Sequence, residues 1–164
     1  MLLSNFIRVV GQRIIQHPTY PTLTTISGET YSCTSGGGSF DMNNMYSTNT
    51  LPSATPNYNT AAFALGTDDS KTTQDMYCLV NELSDYSGFS VVSHSRTMSA
   101  SGKVTYAQTL EYSGNSDITI KEVGYIQGVS FSSSNKSWCM FTREIISPIT
   151  IKSGDILTIS MTIG

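Results

Sequence analysis

An all-β fold, an antiparallel β-sandwich of jelly-roll-like type, is what this sequence predicts, with an N-terminal amphipathic helix and one short internal helix beside it. Three observations carry the prediction. Short alternating or apolar runs recur along residues 61–164, separated by Gly, Asn, Asp, Ser and Pro turn formers. Hydroxyl residues are abundant, 25 Ser and 21 Thr, and Thr favours strands while Ser and Thr pair across them. Helical spacing is confined to two short stretches and does not alternate with strands, which argues against a parallel α/β sheet.

In chain order, the first element is helical. Leu2, Leu3, Phe6, Ile7, Val10, Ile14 and Ile15 fall at spacings of three and four, with Asn5, Arg8, Gln12 and Arg13 between them, and Pro18 ends the run. Gly11 costs this helix about 1 kcal/mol against Ala, and the β-branched residues would also permit a strand. Residues 1–18 therefore read as a helical assembly segment. Residues 19–60 read as loop-rich, with strand-like pieces at Leu23–Ile26 and Thr30–Cys33 around Ser35-Gly36-Gly37-Gly38-Ser39 and a polar Asn, Ser, Thr and Pro run. Such a segment has little apolar surface with which to order itself.

Residues 61–164 form the sandwich core of a single domain. Ala61–Gly66 is a buried-strand pattern that ends in the turn formers Thr67-Asp68-Asp69-Ser70. Thr72 and Asp75 then resemble a capping box, and Met76, Leu79, Val80 and Leu83 follow at helical spacing, which predicts the short internal helix. Strands follow at Phe89–Val92, Val104–Leu110, Asp117–Ile126, Trp138–Phe141 and Ile156–Ile163, with Ser99–Gly102 forming a hairpin turn.

Composition removes several function classes. Charged residues are 13% of the chain and the net charge is −3, with nine scattered basic residues; a nucleic-acid binder would need clustered Lys and Arg. No apolar stretch approaches the roughly 20 residues that span a bilayer, so no membrane partner is expected. Met1-Leu2-Leu3 lacks a basic region and a cleavage site, so no signal peptide is expected. Cys33, Cys78 and Cys139 are odd in number and widely spaced, which suits reduced thiols. With two His and no close Cys pair, no metal site is expected.

Catalytic constellations are hard to assemble. Glu82, Asp85, Glu111 and Glu122 can be paired on paper, as can any of twelve scattered acids. His94 lies between Ser93 and Ser95, but neighbouring strand residues point to opposite faces. His17 reads as a helix-terminal residue. Asp68, Asp69 and Asp75 lack the spacing of a calcium loop and read as turn and cap residues. Asn135-Lys136-Ser137 matches a glycosylation acceptor by pattern, without meaning unless the chain is secreted. Trp138 reads as a core anchor, with a sugar-stacking platform as the alternative. Gly124 inside a strand marks a bulge or close approach, and Glu122, on the same parity, turns either inward to a partner such as Arg143 or outward to solvent. No catalytic residue, metal or cofactor is expected.

Five pieces in order carry a family resemblance: Phe63-Ala64-Leu65-Gly66-Thr67; Gln74-Asp75-Met76-Tyr77-Cys78-Leu79; Ile118-Thr119-Ile120-Lys121-Glu122-Val123-Gly124-Tyr125; Phe141-Thr142-Arg143; and Ser147-Pro148-Ile149-Thr150-Ile151-Lys152-Ser153-Gly154-Asp155 with Leu157-Thr158-Ile159. Together, over residues 61 to 163, they resemble small β-sandwich structural proteins of tailed bacteriophage virions, of the capsid, tail, decoration or head-fibre accessory type. Met76-Tyr77 and Tyr125 depart from that pattern, and the first sixty residues match none of it. The resemblance implies structural roles for Gly66, Asp75, Glu122, Gly124, Arg143, Pro148, Gly154 and Asp155. It also implies location in a virion after synthesis in the bacterial cytoplasm, homo-oligomerisation, and packing on capsid, portal or tail proteins. The expected function is thus a non-enzymatic virion subunit, and the alternative is a carbohydrate-binding adhesin. The apolar stripe Leu2, Leu3, Phe6, Ile7, Val10, Ile14 and Ile15 is the expected assembly interface, since each such side chain contributes roughly 1.5–3 kcal/mol when buried.

Overall fold

A computed structural model of the chain describes residues 22–32, 50–54, 60–131 and 136–163. Eight strands follow in order: β1 (Thr22–Thr24), β2 (Thr30–Ser32), β3 (Ala61–Gly66), β4 (Phe89–Met98), β5 (Val104–Tyr112), β6 (Ile118–Ser130), β7 (Lys136–Ile151) and β8 (Ile156–Ile163). Every pairing is antiparallel. Two three-stranded sheets, ordered β3-β6-β7 and β4-β5-β8, pack face to face, and the β1-β2 hairpin stands beside them. The all-β, antiparallel expectation holds over the described residues.

Period-two patterning explains the packing. In β5 the buried residues Tyr106, Gln108, Leu110 and Tyr112 alternate with less buried ones, so one face of β4-β5-β8 turns to the core. It meets Phe63, Leu65, Ile120 and Tyr125 of the opposite sheet, with the Tyr106 and Tyr125 rings 5.4 Å apart and tilted. β3 behaves differently: all six of its residues are buried. Its second face, with Ala62 and Ala64, joins Ile126, Trp138 and Met140 in another apolar cluster, which Leu79, Met76 and Ile26 close from outside. The sheet β3-β6-β7 is therefore covered on both sides, and the unbroken apolar run Ala61–Leu65 is the sequence trace of that.

Polar groups enter this core only with partners. Gln108, fully buried, accepts the Phe63 amide at 3.3 Å and donates to the Thr50 carbonyl at 2.7 Å, which ties the two sheets to residues 50–54. Leu23 is also fully buried in the main cluster, so the described part of residues 19–60 belongs to the same core.

Three expectations are corrected or extended. Residues 72–83 contain no helix. The amides of Val80 and Asn81, which a helix would direct to carbonyls one turn back, are instead taken by the Glu122 carboxylate, and Gly66 bridges Glu82 in β fashion. A helix of about twelve residues is marginal alone, so these side-chain acceptors and the burial of Leu79 decide the backbone. Asp75 accordingly caps no helix. β7 runs unbroken through Pro148, because a strand at a sheet edge can lose an N–H on its open side. β4 continues to Met98, well past Val92. The apolar stripe from Leu2 to Ile15, together with His17, Cys33 and Asn135, lies outside the described residues.

The Tyr125 hydroxyl is buried with no hydrogen-bond partner among the described residues. Replacing Tyr125 by Phe keeps the ring contacts and removes that oxygen. Tyr125→Phe is expected to stabilise the fold by about 1 kcal/mol, measured as a higher urea midpoint at unchanged slope. A lower midpoint would show that the hydroxyl is satisfied.

Candidate functional site

The one fully buried ion pair among the described residues sits on the outer face of β3-β6-β7. Glu122 of β6 is paired in register with Gly66 of β3 and Ile145 of β7, while Arg143 is opposite Gly124. Glu122 and Arg143 are thus diagonal neighbours on one face, within reach of long side chains. The Arg143 Nε donates to Glu122 Oε2 at 2.7 Å, and both side chains have no exposed surface. Both charges left water to get there, which only good geometry and further hydrogen bonds can offset.

Those further bonds come from residues 68–81. Glu122 Oε1 accepts the Asn81 amide at 2.9 Å, and Oε2 accepts the Val80 amide at 3.3 Å. Arg143 Nη1 donates to the Ser70 carbonyl at 2.9 Å and to Thr72 Oγ1 at 3.0 Å, while Nη2 reaches Asp68 at 3.5 Å. Each end of the excursion from Gly66 to Leu83 is therefore held by one member of the pair. The arrangement is a clip: one carboxylate and one guanidinium fasten a strandless segment onto a sheet.

Two glycines make the clip fit. A Cβ on Gly66 would lie 2.7 Å from Glu122 Cγ and 2.8 Å from the Asn81 carbonyl oxygen. One on Gly124 would lie 2.7 Å from Met140 Sδ and 3.0 Å from Leu79 Cδ2. Real Cβ atoms do not come within 3 Å of such neighbours, so Gly66 makes room for Glu122 and the Asn81 carbonyl, while Gly124 makes room for the side-chain ends of Met140 and Leu79.

Surrounding titratable groups respond to burial and to these partners. Hydrogen bonds from Ser70, with help from Arg143 and Lys121, hold the Asp68 carboxyl below its ordinary value. Burial pushes the Glu82 carboxyl up, and the nearby Glu122 charge adds to this against a hydrogen bond from Tyr86. Burial likewise raises the Cys78 thiol, with Glu82 and Glu122 adding to it. A thiol shifted that way is a poorer nucleophile at neutral pH.

The other sequence candidates separate in space. Gly66, Glu122, Gly124 and Arg143 come together, and Asp75 lies exposed in the fastened segment. Pro148, Gly154 and Asp155 belong to the β7–β8 end, where Gly154 turns at φ 91° and the Lys152 amide donates to Asp155 Oδ2 at 2.7 Å. Of the four acids only Glu82 and Glu122 come near one another, and Glu122 is committed to the clip; Asp85 bonds Ser87, and Glu111 is exposed on β5. His94 is exposed on β4. Asp69 pairs with Lys121 at 3.1 Å, and among the described residues no group of three His, Cys, Asp or Glu side chains could hold a metal ion.

Trp138 is 5% exposed and donates its indole N–H to the Ala54 carbonyl at 3.1 Å, which places it in the core. Tyr86, Tyr106, Tyr112 and Tyr125 are buried as well, and Tyr77 is exposed. Sequence reasoning missed Asn81, Thr72 and Ser70 as partners of the clip. A helix reading of 72–83 hides Asn81, because it assigns that amide to a carbonyl one turn back; Thr72 acts through its side chain and Ser70 lies before the segment.

Removing one partner of the clip strands a buried charge. Arg143→Met is expected to destabilise the fold by about 3–5 kcal/mol, and Glu122→Leu with Arg143→Met together by less than the sum of the single changes. Urea unfolding of the four proteins measures this; additive losses would show that the two residues act separately.

Acid pulls two carboxyls in opposite directions. Asp68, with a lowered folded value, gives stability that is present above its unfolded pKa and lost as pH falls through the folded one. Glu82, with a raised folded value, gives stability that is present below its unfolded pKa and lost as pH rises through the folded one. The native protein is therefore expected to gain stability through Glu82 on mild acidification, and Glu82→Gln to raise the melting temperature at pH 7 and to remove that gain. A melting temperature lower at pH 7 in the variant would contradict this.

Comparison of the chain with protein-family models, with curated proteins and with solved structures found no match, and the functional reading rests on the side chains themselves.

Proposed function

We propose that this chain is a non-enzymatic structural subunit of a tailed-phage virion, which assembles with copies of itself and with neighbouring capsid or tail proteins. The observation that carries the reading is the outer face of β4-β5-β8. By register, Ser93, Ser95 and Thr97 of β4, Thr105, Ala107 and Thr109 of β5, and Thr158, Ser160 and Thr162 of β8 form three ranks across one face. Thr105 and Thr162 share a hydrogen bond of 2.8 Å, and Thr109 and Thr158 one of 3.2 Å.

No charge occupies any of these nine positions, all exposed or half-buried, and the next rank on that face, Ser90, Glu111 and Ile156, carries a single acid. Charged residues are depleted where proteins pack together, because desolvating them is costly. A soluble domain that works alone carries a more charged surface, about twice the charged share found here. The phage resemblance adds the setting, with the two packed sheets as a jelly-roll-like sandwich and the clip as the feature that makes the subunit rigid enough to tile. A closed clip suits this role: its charged groups spend their hydrogen bonds on each other and on the protein's own backbone and side chains.

Mass spectrometry of purified particles tests the setting, since particles lacking the protein would refute it. Deleting residues 1–16 tests the expected role of the apolar stripe. The truncated chain is expected to keep a cooperative melt, to sediment as a smaller species and to fail to join particles. An unfolded or insoluble truncation would instead assign those residues to the domain's own core.

A further inference from the structure

A strand at the edge of a sheet turns a row of unpaired N–H and C=O groups outward, and proteins guard such rows with charge, proline, bulges or cover. The two sheets have four edges, β3, β7, β4 and β8. Three are guarded. On β3 the Phe63 amide is taken by Gln108, the Leu65 amide by the Tyr86 hydroxyl at 2.8 Å, and the Leu65 carbonyl by the Leu83 amide at 2.9 Å. β4 carries a register shift between Val91 and Ser93 and the polar residues His94 and Arg96. β7 carries two register shifts against β6, the exposed Glu144 and Pro148.

Among the described residues β8 shows none of these devices. Its eight residues, Ile156-Leu157-Thr158-Ile159-Ser160-Met161-Thr162-Ile163, contain no charge, proline or glycine, and they pair with β5 without a register shift. Among the described strands nothing pairs with its other side. The alternation of hydrogen bonds identifies which groups face outward. The Tyr112 amide donates to the Asp155 carbonyl at 2.9 Å, so in the antiparallel ladder Leu157, Ile159, Met161 and Ile163 bond β5, whereas Thr158, Ser160 and Thr162 direct N–H and C=O to the open edge.

We infer that β8 is a pairing edge for a second copy of this chain, joined antiparallel about a two-fold axis so that two three-stranded sheets become one of six strands. Self-pairing fits for three reasons. With no charge on the strand, two copies meet without like-charge repulsion. The strand is also self-complementary: a two-fold axis at Ile159 or at Ser160 keeps Leu157, Ile159, Met161 and Ile163 on the core face of both copies and the hydroxyl residues on the outer face. Finally, a mainly apolar cleft of about 350 Å³ opens beside β8, lined by Val123, Ile146, Ile159, Met161 and Ile163 with Glu144 among them, and the second copy's apolar row would cover its apolar part.

This inference deepens the self-assembly part of the proposed function and rests on it. Ser160→Pro removes an edge-facing N–H and leaves the β5 ladder intact. The test is sedimentation of the full-length chain and of this variant at micromolar concentration. The expected result is an even-numbered assembly for the native chain and half its mass for Ser160→Pro, with the cooperative melt retained. An assembly of unchanged mass in the variant would overturn pairing through β8 while leaving self-assembly in place. A monomeric native chain would overturn both. If Ser160→Pro loses its melt, Thr162→Pro decides, since it removes another edge-facing N–H near the end of the strand and adds no charge to the outer face: halved mass supports the inference and unchanged mass refutes it.

Discussion

Burying a carboxylate and a guanidinium side by side is costly, and the fold depends on meeting that cost. The Glu122–Arg143 contact of 2.7 Å alone would not do so; the backbone amides of Val80 and Asn81 and the acceptors at Ser70 and Thr72 complete it. In return the pair holds residues 67–83 flat against β3, β6 and β7. Leu79 and Met76 can then seal the second apolar cluster, which is why the sheet β3-β6-β7 carries apolar residues on both faces. Remove the clip and that cluster loses its outer wall.

Much of the β architecture was legible because period-two patterning is a local signal. Val104–Leu110 and Ile156–Ile163 alternate cleanly and became β5 and β8 nearly as read. Ala61–Gly66 was legible as buried because an unbroken apolar run of that length leaves few alternatives. Trp138 was legible as a core anchor, since a lone Trp in an apolar strand is more often buried than displayed. The Glu122–Arg143 partnership was visible only as one of two readings of equal weight, since parity can place two residues on a face without saying which side of the sheet is covered.

The segment 72–83 shows where local signals fail. Thr72, Asp75, Met76, Leu79, Val80 and Leu83 carry the cap and spacing of a helix, but of the apolar ones only Leu79 is fully inside and Val80 is exposed. What overrides the helix is Glu122, about forty residues further along, whose carboxylate takes the amides of Val80 and Asn81. No window of a dozen residues contains that information. Asn81, Thr72 and Ser70 were missed for the same reason, and Gln108 as a bridge between the sheets was not visible either, because a glutamine in an alternating strand looks like any outward polar residue.

The chain order of the clip has a consequence for biosynthesis. Ala61-Ala62-Phe63-Ala64-Leu65 leaves the ribosome well before Glu122 and Arg143, the residues that fasten its cover, so for part of each folding event an uncharged apolar strand waits without a lid. Contacts so distant in sequence form late and leave exposed strands open to wrong partners. Yield and solubility during expression thus hinge on how fast the β6–β7 hairpin arrives, and a change that slows that hairpin would appear as inclusion bodies even where the finished fold is stable.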